Sequence, residues 1–83
     1  MYVKPKKHLG QHFLTDLSIA RRIAESLYAD RCSTVLEVGC GTGVLTHFLL
    51  ERSDITLYGA EVDSESVAYL HEYYPDFAPR LIE

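Results

Sequence analysis

Three glycines at alternate positions, in the run Glu37-Val-Gly-Cys-Gly-Thr-Gly43, constrain the fold of this chain more than any other feature. The run follows a short apolar segment, Thr34–Val38, which has the length and composition of a buried parallel strand. Glycine reaches backbone conformations with positive φ and admits a ligand where a Cβ would collide with it. The sequence therefore predicts an α/β fold with a ligand-binding loop after its first strand.

The spacing of the glycines and the position of the next acid distinguish between two classes of ligand. A dinucleotide fingerprint requires G-x-G-x-x-G, whereas the third glycine here, Gly43, comes one position early. Glu61 follows a predicted strand at 55–60 and lies 22 residues after Gly39, which suits a carboxylate that binds both ribose hydroxyls. For Glu37 two roles stay open, direct ligand contact and orientation of the loop.

The apolar pattern predicts two helices around the first strand. The first begins after Asp16 as N-cap, and we expect one of its faces to pack on the sheet. The second begins near Gly43 and ends near residues 53–54. The residues expected to pack are Ile19, Ala20, Ile23, Ala24 and Leu27 in the first helix, and Leu45, Phe48 and Leu49 in the second.

A third helix and the beginning of a third strand are predicted in the last part of the chain. Asp63 or Ser64 caps a helix that carries Val67, Leu70 and Tyr74 inward and that Pro75 terminates. We expect a loop at 75–79 and a strand that opens at 80–83. Since a parallel sheet is normally covered on both faces and has more strands than these, we expect the chain to be part of a larger domain.

Composition and cysteine usage exclude several classes of protein. No apolar run approaches the about 18 residues of a membrane helix, and the basic N-terminus has no signal-peptide core, so we expect a cytoplasmic protein without a membrane partner. Cys32 and Cys40 have neither C-x-x-C spacing nor a nearby histidine pair, so we expect free thiols and no metal site. We expect Cys40 to be a small residue that fits the loop; the alternative is a reactive thiol.

The charge is distributed unevenly along the chain. Lys4, Lys6 and Lys7 give residues 1–12 three positive charges and no acid, although the whole chain has a net charge of −4. A basic segment of this kind can contact phosphates. The alternative is a solvated tail.

Two motifs together indicate a family. The segment Lys6-Lys-His-Leu-Gly-Gln-His-Phe-Leu-Thr-Asp16 resembles the G-Q-[NH]-F-L-x-D signature of the ribosomal RNA adenine N6,N6-dimethyltransferases, the kasugamycin-sensitivity family. The run that begins at Glu37 resembles the first motif of S-adenosylmethionine-dependent methyltransferases, and Cys40 stands where the kasugamycin-sensitivity family often has proline. The resemblance spans the chain and implies an incomplete Rossmann-like methyltransferase fold. Residues 1–15 would be a basic arm, and residues 16–83 the start of the core of a single domain.

The resemblance also implies a cofactor site and a reaction. The cofactor would be S-adenosyl-L-methionine, and the residues that match the family's binding positions are His12, Leu14, Gly39, Gly41 and Glu61. The intact enzyme, expected to be monomeric, would dimethylate N6 of two adjacent adenines in 16S ribosomal RNA of the small subunit. The family's tetrapeptide [ND]-[LI]-P-[YF] is absent, so we expect no catalytic residue in this chain and no activity of the chain alone.

Three alternative functions stay open. The first differs from this interpretation in its substrate, and the other two belong to different classes of protein. A large-subunit methylase of the erythromycin-resistance type would share the fold and the chemistry. A non-catalytic RNA-binding or ribosome-assembly module would keep the cofactor pocket without transferring a methyl group. An NAD-binding oxidoreductase would bind NAD in preference to S-adenosylmethionine.

Overall fold

The computed structural model describes residues 16–30 and 33–83. Its elements confirm the predicted α/β fold, and no helix in these two stretches is long and apolar enough to cross a membrane. The predictions for residues 1–15, which include His12, Leu14 and the three lysines, lie outside the described residues, as does Cys32. In chain order the elements are α1 (Leu17–Ser26), β1 (Thr34–Val38), α2 (Val44–Leu50), β2 (Thr56–Ala60), α3 (Ser64–Tyr73), a 3-10 turn (Ala78–Arg80) and β3 (Leu81–Ile82).

The described strands form a parallel sheet in the order β1-β2-β3. Val38 is in register with Ala60, and Ala60 with Ile82, so the carboxyl ends of the strands lie at one edge. The Gly39 N–H donates to the Ala60 carbonyl at 2.7 Å, which extends the pairing of β1 and β2 into the glycine loop. Whatever follows β1 and β2 in the chain is therefore brought together at this edge.

The helix starts follow the predicted caps, while two of the helix ends come earlier than predicted. The Asp16 side chain accepts from the N–H groups at the start of α1, and Asp63 caps α3 through Ser66 N–H. The second helix ends at Leu50 rather than near 53–54, because Glu51 and Arg52 N–H bind carbonyls three residues back and tighten the final turn. The first helix ends at Ser26, one residue before Leu27.

The α1 helix packs against α2 through small residues, which corrects two predictions. Ala20 and Ala24 are buried, whereas Ile19 and Ile23 remain 41% and 42% exposed. The expectation that both isoleucines pack inward was wrong for these residues. Within the described residues α1 packs mainly against α2, so the expectation that this face packs on the sheet was also wrong, and the residues of α1 that become buried are the two small alanines.

Residues from the helices, the strands and two connecting segments form the core. Phe77 is 1% exposed, although its segment was predicted to be a plain loop; the 3-10 turn that follows it begins at Ala78. The predicted packing of Phe48, Leu49 and Leu70 is confirmed, and Leu45, Val67 and Tyr74 are partly buried. The buried apolar residues are Ala20, Ala24, Cys40, Phe48, Leu49, Leu57, Leu70, Phe77 and Leu81.

Only one face of the sheet contributes to this core. Leu57 and Leu81 point into it, whereas Leu36, Tyr58 and Ile82 on the opposite face are 53%, 40% and 59% exposed. Parallel sheets are normally covered on both faces. Within the described residues, only one face of this sheet is covered by other elements.

Candidate functional site

The three glycines of the loop have the positive φ values that the sequence predicts, but they are glycines for different reasons. Gly39, Gly41 and Gly43 have φ of 79°, 57° and 85°. A Cβ at Gly39 would meet nothing within 4 Å, whereas a Cβ at Gly43 would lie 3.0 Å from Leu70 Cδ2 and from Tyr74 Cε2. Gly43 therefore allows close packing against α3, and Gly39 leaves open space beside the backbone.

Glu61 binds the backbone of the glycine loop and of its own chain neighbours. Its Oε1 accepts the Gly41 N–H at 2.6 Å, while Oε2 accepts the Val62 N–H at 3.0 Å and the Asp63 N–H at 2.8 Å. The carboxylate is nearly buried, with 9% of the residue exposed. The structure thus brings together Gly41 and Glu61, two of the five residues predicted from the sequence to bind a cofactor, with Gly39 two positions before Gly41.

Glu37, the acid that opens the motif, lies beneath the loop as a buried carboxyl group. Thr46 Oγ1 donates to its Oε1 at 2.5 Å. Burial raises the Glu37 pKa to about 7; the Thr46 hydrogen bond opposes this rise, and the nearby charge of Glu61 adds to it. These contacts support the role of orienting the loop, and direct ligand contact stays a prediction.

Thr46 is the residue of this site that sequence reasoning missed. It is fully buried on α2, nine residues after Glu37 and on the other side of the glycine loop. The spacing of apolar residues in α2 predicts only which apolar side chains pack inward. It gives no reason to expect the Thr46 hydroxyl to be buried among them. The available signal was a polar residue on an otherwise apolar face, because such a group requires a hydrogen-bond partner when buried.

Cys40 is a packed residue of the loop. It is 1% exposed, its Sγ donates to the Glu37 carbonyl at 3.5 Å, and burial raises its pKa to about 12. Burial and the raised pKa support the interpretation of Cys40 as a small residue that fits the loop over the reactive-thiol alternative. Gly59 makes room for it: a Cβ there would lie 2.6 Å from Cys40 Sγ and 2.6 Å from Phe77 Cζ.

The described stretches contain no group of three or more His, Cys, Asp or Glu side chains placed to hold a metal ion. His47 instead faces Tyr74, with 3.4 Å between its Nδ1 and the phenol oxygen, and its Nε2 lies 3.5 Å from Glu51. His71 pairs with Glu83. Both histidines are therefore accounted for by side-chain contacts on the surface.

Comparison with known proteins gives a consistent set of relatives. The profile of the family described as ribosomal RNA adenine dimethylase matches residues 3–75. The chain is 54% identical over 84 residues to "Ribosomal RNA small subunit methyltransferase A" of Porphyromonas gingivalis, covering 100% of this chain and 32% of that protein. Proteins of the same name from Parabacteroides distasonis and Flavobacterium johnsoniae are 56% and 49% identical, each over 96% of this chain and 30% of their own length.

The chain spans about a third of the length of these curated relatives. No solved structure matches it.

Proposed function

The chain belongs to the ribosomal RNA adenine dimethylase family, and we propose from that membership that it forms the cofactor-binding part of an S-adenosylmethionine-dependent methyltransferase. The reaction would dimethylate N6 of two adjacent adenines in small-subunit ribosomal RNA. Relatives that carry the name of a small-subunit methyltransferase support this substrate. The observation that carries the proposal is the contact between Gly41 and Glu61 beside the open space at Gly39.

The geometry of Gly39 and Glu61 fits the proposed cofactor. Because Gly39 has positive φ and nothing within 4 Å of a Cβ position, its backbone is accessible to an amino acid or ribose group. A carboxylate offers about four lone-pair positions, and backbone N–H groups occupy three of those on Glu61. One ribose hydroxyl can therefore bind Glu61 directly, while a second requires one of the three backbone hydrogen bonds to open.

Two further residues would complete the site from the N-terminal arm. By the family resemblance, His12 would make a polar contact to the methionine part of the cofactor, and Leu14 would line the same pocket. Both precede the described residues. Together with Gly39, Gly41 and Glu61 they form the proposed cofactor site.

The chemistry requires positioning more than acid–base catalysis. An exocyclic adenine amine is a poor nucleophile, because its lone pair is delocalised into the ring; bound cofactor would supply a sulfonium, which is a good leaving group. The protein's task is to hold the methyl carbon in line with a base taken out of its stack. The glycine loop and Glu61 would hold the donor, and Lys4, Lys6 and Lys7 would contact RNA phosphates.

Calorimetry tests the cofactor assignment directly. Protein expressed from the complete reading frame is titrated with S-adenosylmethionine and, separately, with NAD. We expect binding of S-adenosylmethionine and methyl transfer to small-subunit ribosomal RNA. Preference for NAD would refute the proposal, whereas cofactor binding without any methyl transfer would favour the non-catalytic alternative.

The 83-residue chain is the second sample in this test. It lacks the family's [ND]-[LI]-P-[YF] tetrapeptide, so we expect no methyl transfer from it. Transfer by the pure chain would contradict that expectation and would place the acceptor site within these residues.

A further inference from the structure

The buried pair formed by Thr46 and Glu37 spans the glycine loop. Thr46 is 0% exposed and Glu37 is 9% exposed, and the threonine hydroxyl donates to the carboxyl oxygen at 2.5 Å. Glu37 belongs to β1 and Thr46 to α2, so the hydrogen bond joins the elements on the two sides of the loop. This hydrogen bond adds to the contacts that hold the loop itself, among them those of Gly39 with Ala60 and of Gly41 with Glu61.

The environment of Glu37 gives this hydrogen bond an electrostatic consequence. Burial disfavours the ionised carboxylate, and the negative charge of Glu61 disfavours it further. Cys40 also faces Glu37 and stays neutral, because its own pKa is about 12. The Thr46 hydroxyl is the strongest of the interactions that favour ionised Glu37, so its loss would leave the carboxyl group more readily protonated.

We propose that Thr46 is a positioning residue for the cofactor: it acts through Glu37, whose carboxylate it holds beneath the glycine loop, where the negative charge attracts the cationic end of the cofactor. The inference rests on the proposed function, since S-adenosylmethionine carries a sulfonium and an ammonium group. A buried charge attracts an opposite charge more strongly than the same charge does in water, and Glu37 is 9% exposed. Thr46 needs no contact with the cofactor for this effect.

This role makes a specific prediction about pH. The Thr46→Val variant has nearly the same shape but cannot donate, so near neutral pH more of its Glu37 is protonated and cofactor binding weakens. Raising the pH ionises Glu37 without help from the hydroxyl, so the affinity of the variant returns towards that of wild type measured at the same pH, at which the cofactor has the same charge. A change in packing would instead weaken binding equally at every pH. Glu37→Gln, which cannot ionise, would show no recovery.

The experiment measures the dissociation constant of S-adenosylmethionine by calorimetry from about pH 6.5 to about pH 9, a range that spans the titration of a carboxyl group raised by burial. The protein is expressed from its complete reading frame as wild type, Thr46→Val and Thr46→Ser. We expect about tenfold weaker binding for Thr46→Val near pH 7 and near wild-type binding at the highest pH, in line with the loss of one hydrogen bond to a charged group. Thr46→Ser keeps the hydroxyl and restores most of the affinity. The matched control is Thr56→Val, at an exposed threonine of β2.

The outcomes separate this inference from the proposed function. If the wild type does not bind S-adenosylmethionine at any pH, both the role of Thr46 and the proposed function are refuted. If it binds while Thr46→Val matches it throughout, or is weaker by one constant factor, only the role of Thr46 is overturned. Should Thr46→Val fail to fold by circular dichroism, Glu37→Gln decides: weaker binding that does not recover at high pH supports the inference, and wild-type binding at every pH overturns it.

Discussion

The backbone N–H of Gly41 donates to Glu61 Oε1 at 2.6 Å, which joins the loop after β1 to the acid after β2. The same carboxylate accepts two more N–H groups, from Val62 and Asp63, through its other oxygen. Loop conformation and the acceptor capacity of Glu61 are therefore coupled. A ligand hydroxyl that donates to Glu61 Oε1 has to share that oxygen with the Gly41 N–H.

Replacing Glu61 with glutamine should weaken both the fold and cofactor binding. The amide nitrogen would face backbone N–H groups that now meet a carboxylate oxygen, leaving at least one buried donor unsatisfied. We expect the free energy of unfolding to fall by about 1–3 kcal/mol in urea denaturation. Glu65→Gln, in the exposed first turn of α3, is the control: it should lower stability by less than about 1 kcal/mol, through the helix dipole, and leave cofactor affinity unchanged. A Glu61→Gln protein as stable as wild type would show that these three hydrogen bonds contribute little.

Gly59→Ala should destabilise the chain through a collision rather than through backbone strain. The new methyl carbon would lie 2.6 Å from Cys40 Sγ and 2.6 Å from Phe77 Cζ, so buried side chains must move. We expect a loss of about 1–3 kcal/mol in thermal or urea unfolding. Adding Cys40→Ala should recover part of this loss, because it removes one of the two collisions. Purely additive destabilisation in the double variant would contradict the steric explanation.

Gly39→Ala is the matched comparison for that prediction. Its φ of 79° strains an alanine, but among the described residues no atom beyond the adjoining ones lies within 4 Å of the added carbon. The expected cost is about 1–2 kcal/mol of stability. The methyl group would occupy the open space assigned to the cofactor, so we expect cofactor affinity to fall further than stability does. Unchanged affinity would place the cofactor elsewhere.

Glu37 should make the protein less stable as the pH rises towards neutrality. Its pKa is raised from 4.5 to about 7 by burial, so between these values the folded state binds more protons than the unfolded state. The stabilising contribution is complete below about pH 4.5 and is lost as the pH rises through about 7. We expect Glu37→Gln to be less sensitive to pH in this window, measured as the difference from wild type in urea unfolding. Parallel pH profiles would show that Glu37 titrates normally.

Cys40 should resist thiol reagents while the protein is folded. Cys32→Ser leaves a single thiol, which is 1% exposed and has its pKa raised to about 12. We expect labelling by Ellman's reagent near pH 8 to be at least about a hundredfold slower in the folded than in the urea-unfolded protein. Rapid labelling of the folded protein would mean that the loop opens readily.

The three lysines of the N-terminal arm test the proposed contact with RNA. Reversing Lys4, Lys6 and Lys7 to glutamate should weaken RNA binding and reduce the slope of log affinity against log salt by up to about three. Affinity for S-adenosylmethionine should not change. Arg22→Glu, at an exposed position on α1, is the control for a surface charge reversal. If RNA binding is unaffected by the lysine changes, the arm serves the cofactor only.

Much of the fold could be predicted because its signals are local. The caps at Asp16 and Asp63 use side chains that bind N–H groups two or three residues away, and Pro75 ends a helix by its own geometry. The order of strand, glycine loop, helix, strand and acid can likewise be predicted from the local sequence. These signals were sufficient to identify the family and to select Gly39, Gly41 and Glu61 as candidates.

Other features depend on which elements pack against each other in the fold. The spacing of apolar residues along the chain does not determine this packing. The isoleucines and alanines of α1 share an apolar face, yet it is Ala20 and Ala24 that are buried, because α1 lies close against α2. Gly59 does not have the positive φ that would favour glycine. A side chain at this position would instead collide with Cys40 and Phe77, which come from other parts of the chain.

By itself the sequence determined the elements, their caps, the positive-φ loop and the family, because each depends on residues close together in the chain. Only the tertiary structure decided that Thr46 pairs with Glu37 and that Glu61 binds the backbone of the glycine loop. The physical reason is that a buried polar group must find a partner, and which partner is within reach is set by the packing of β1, α2 and β2.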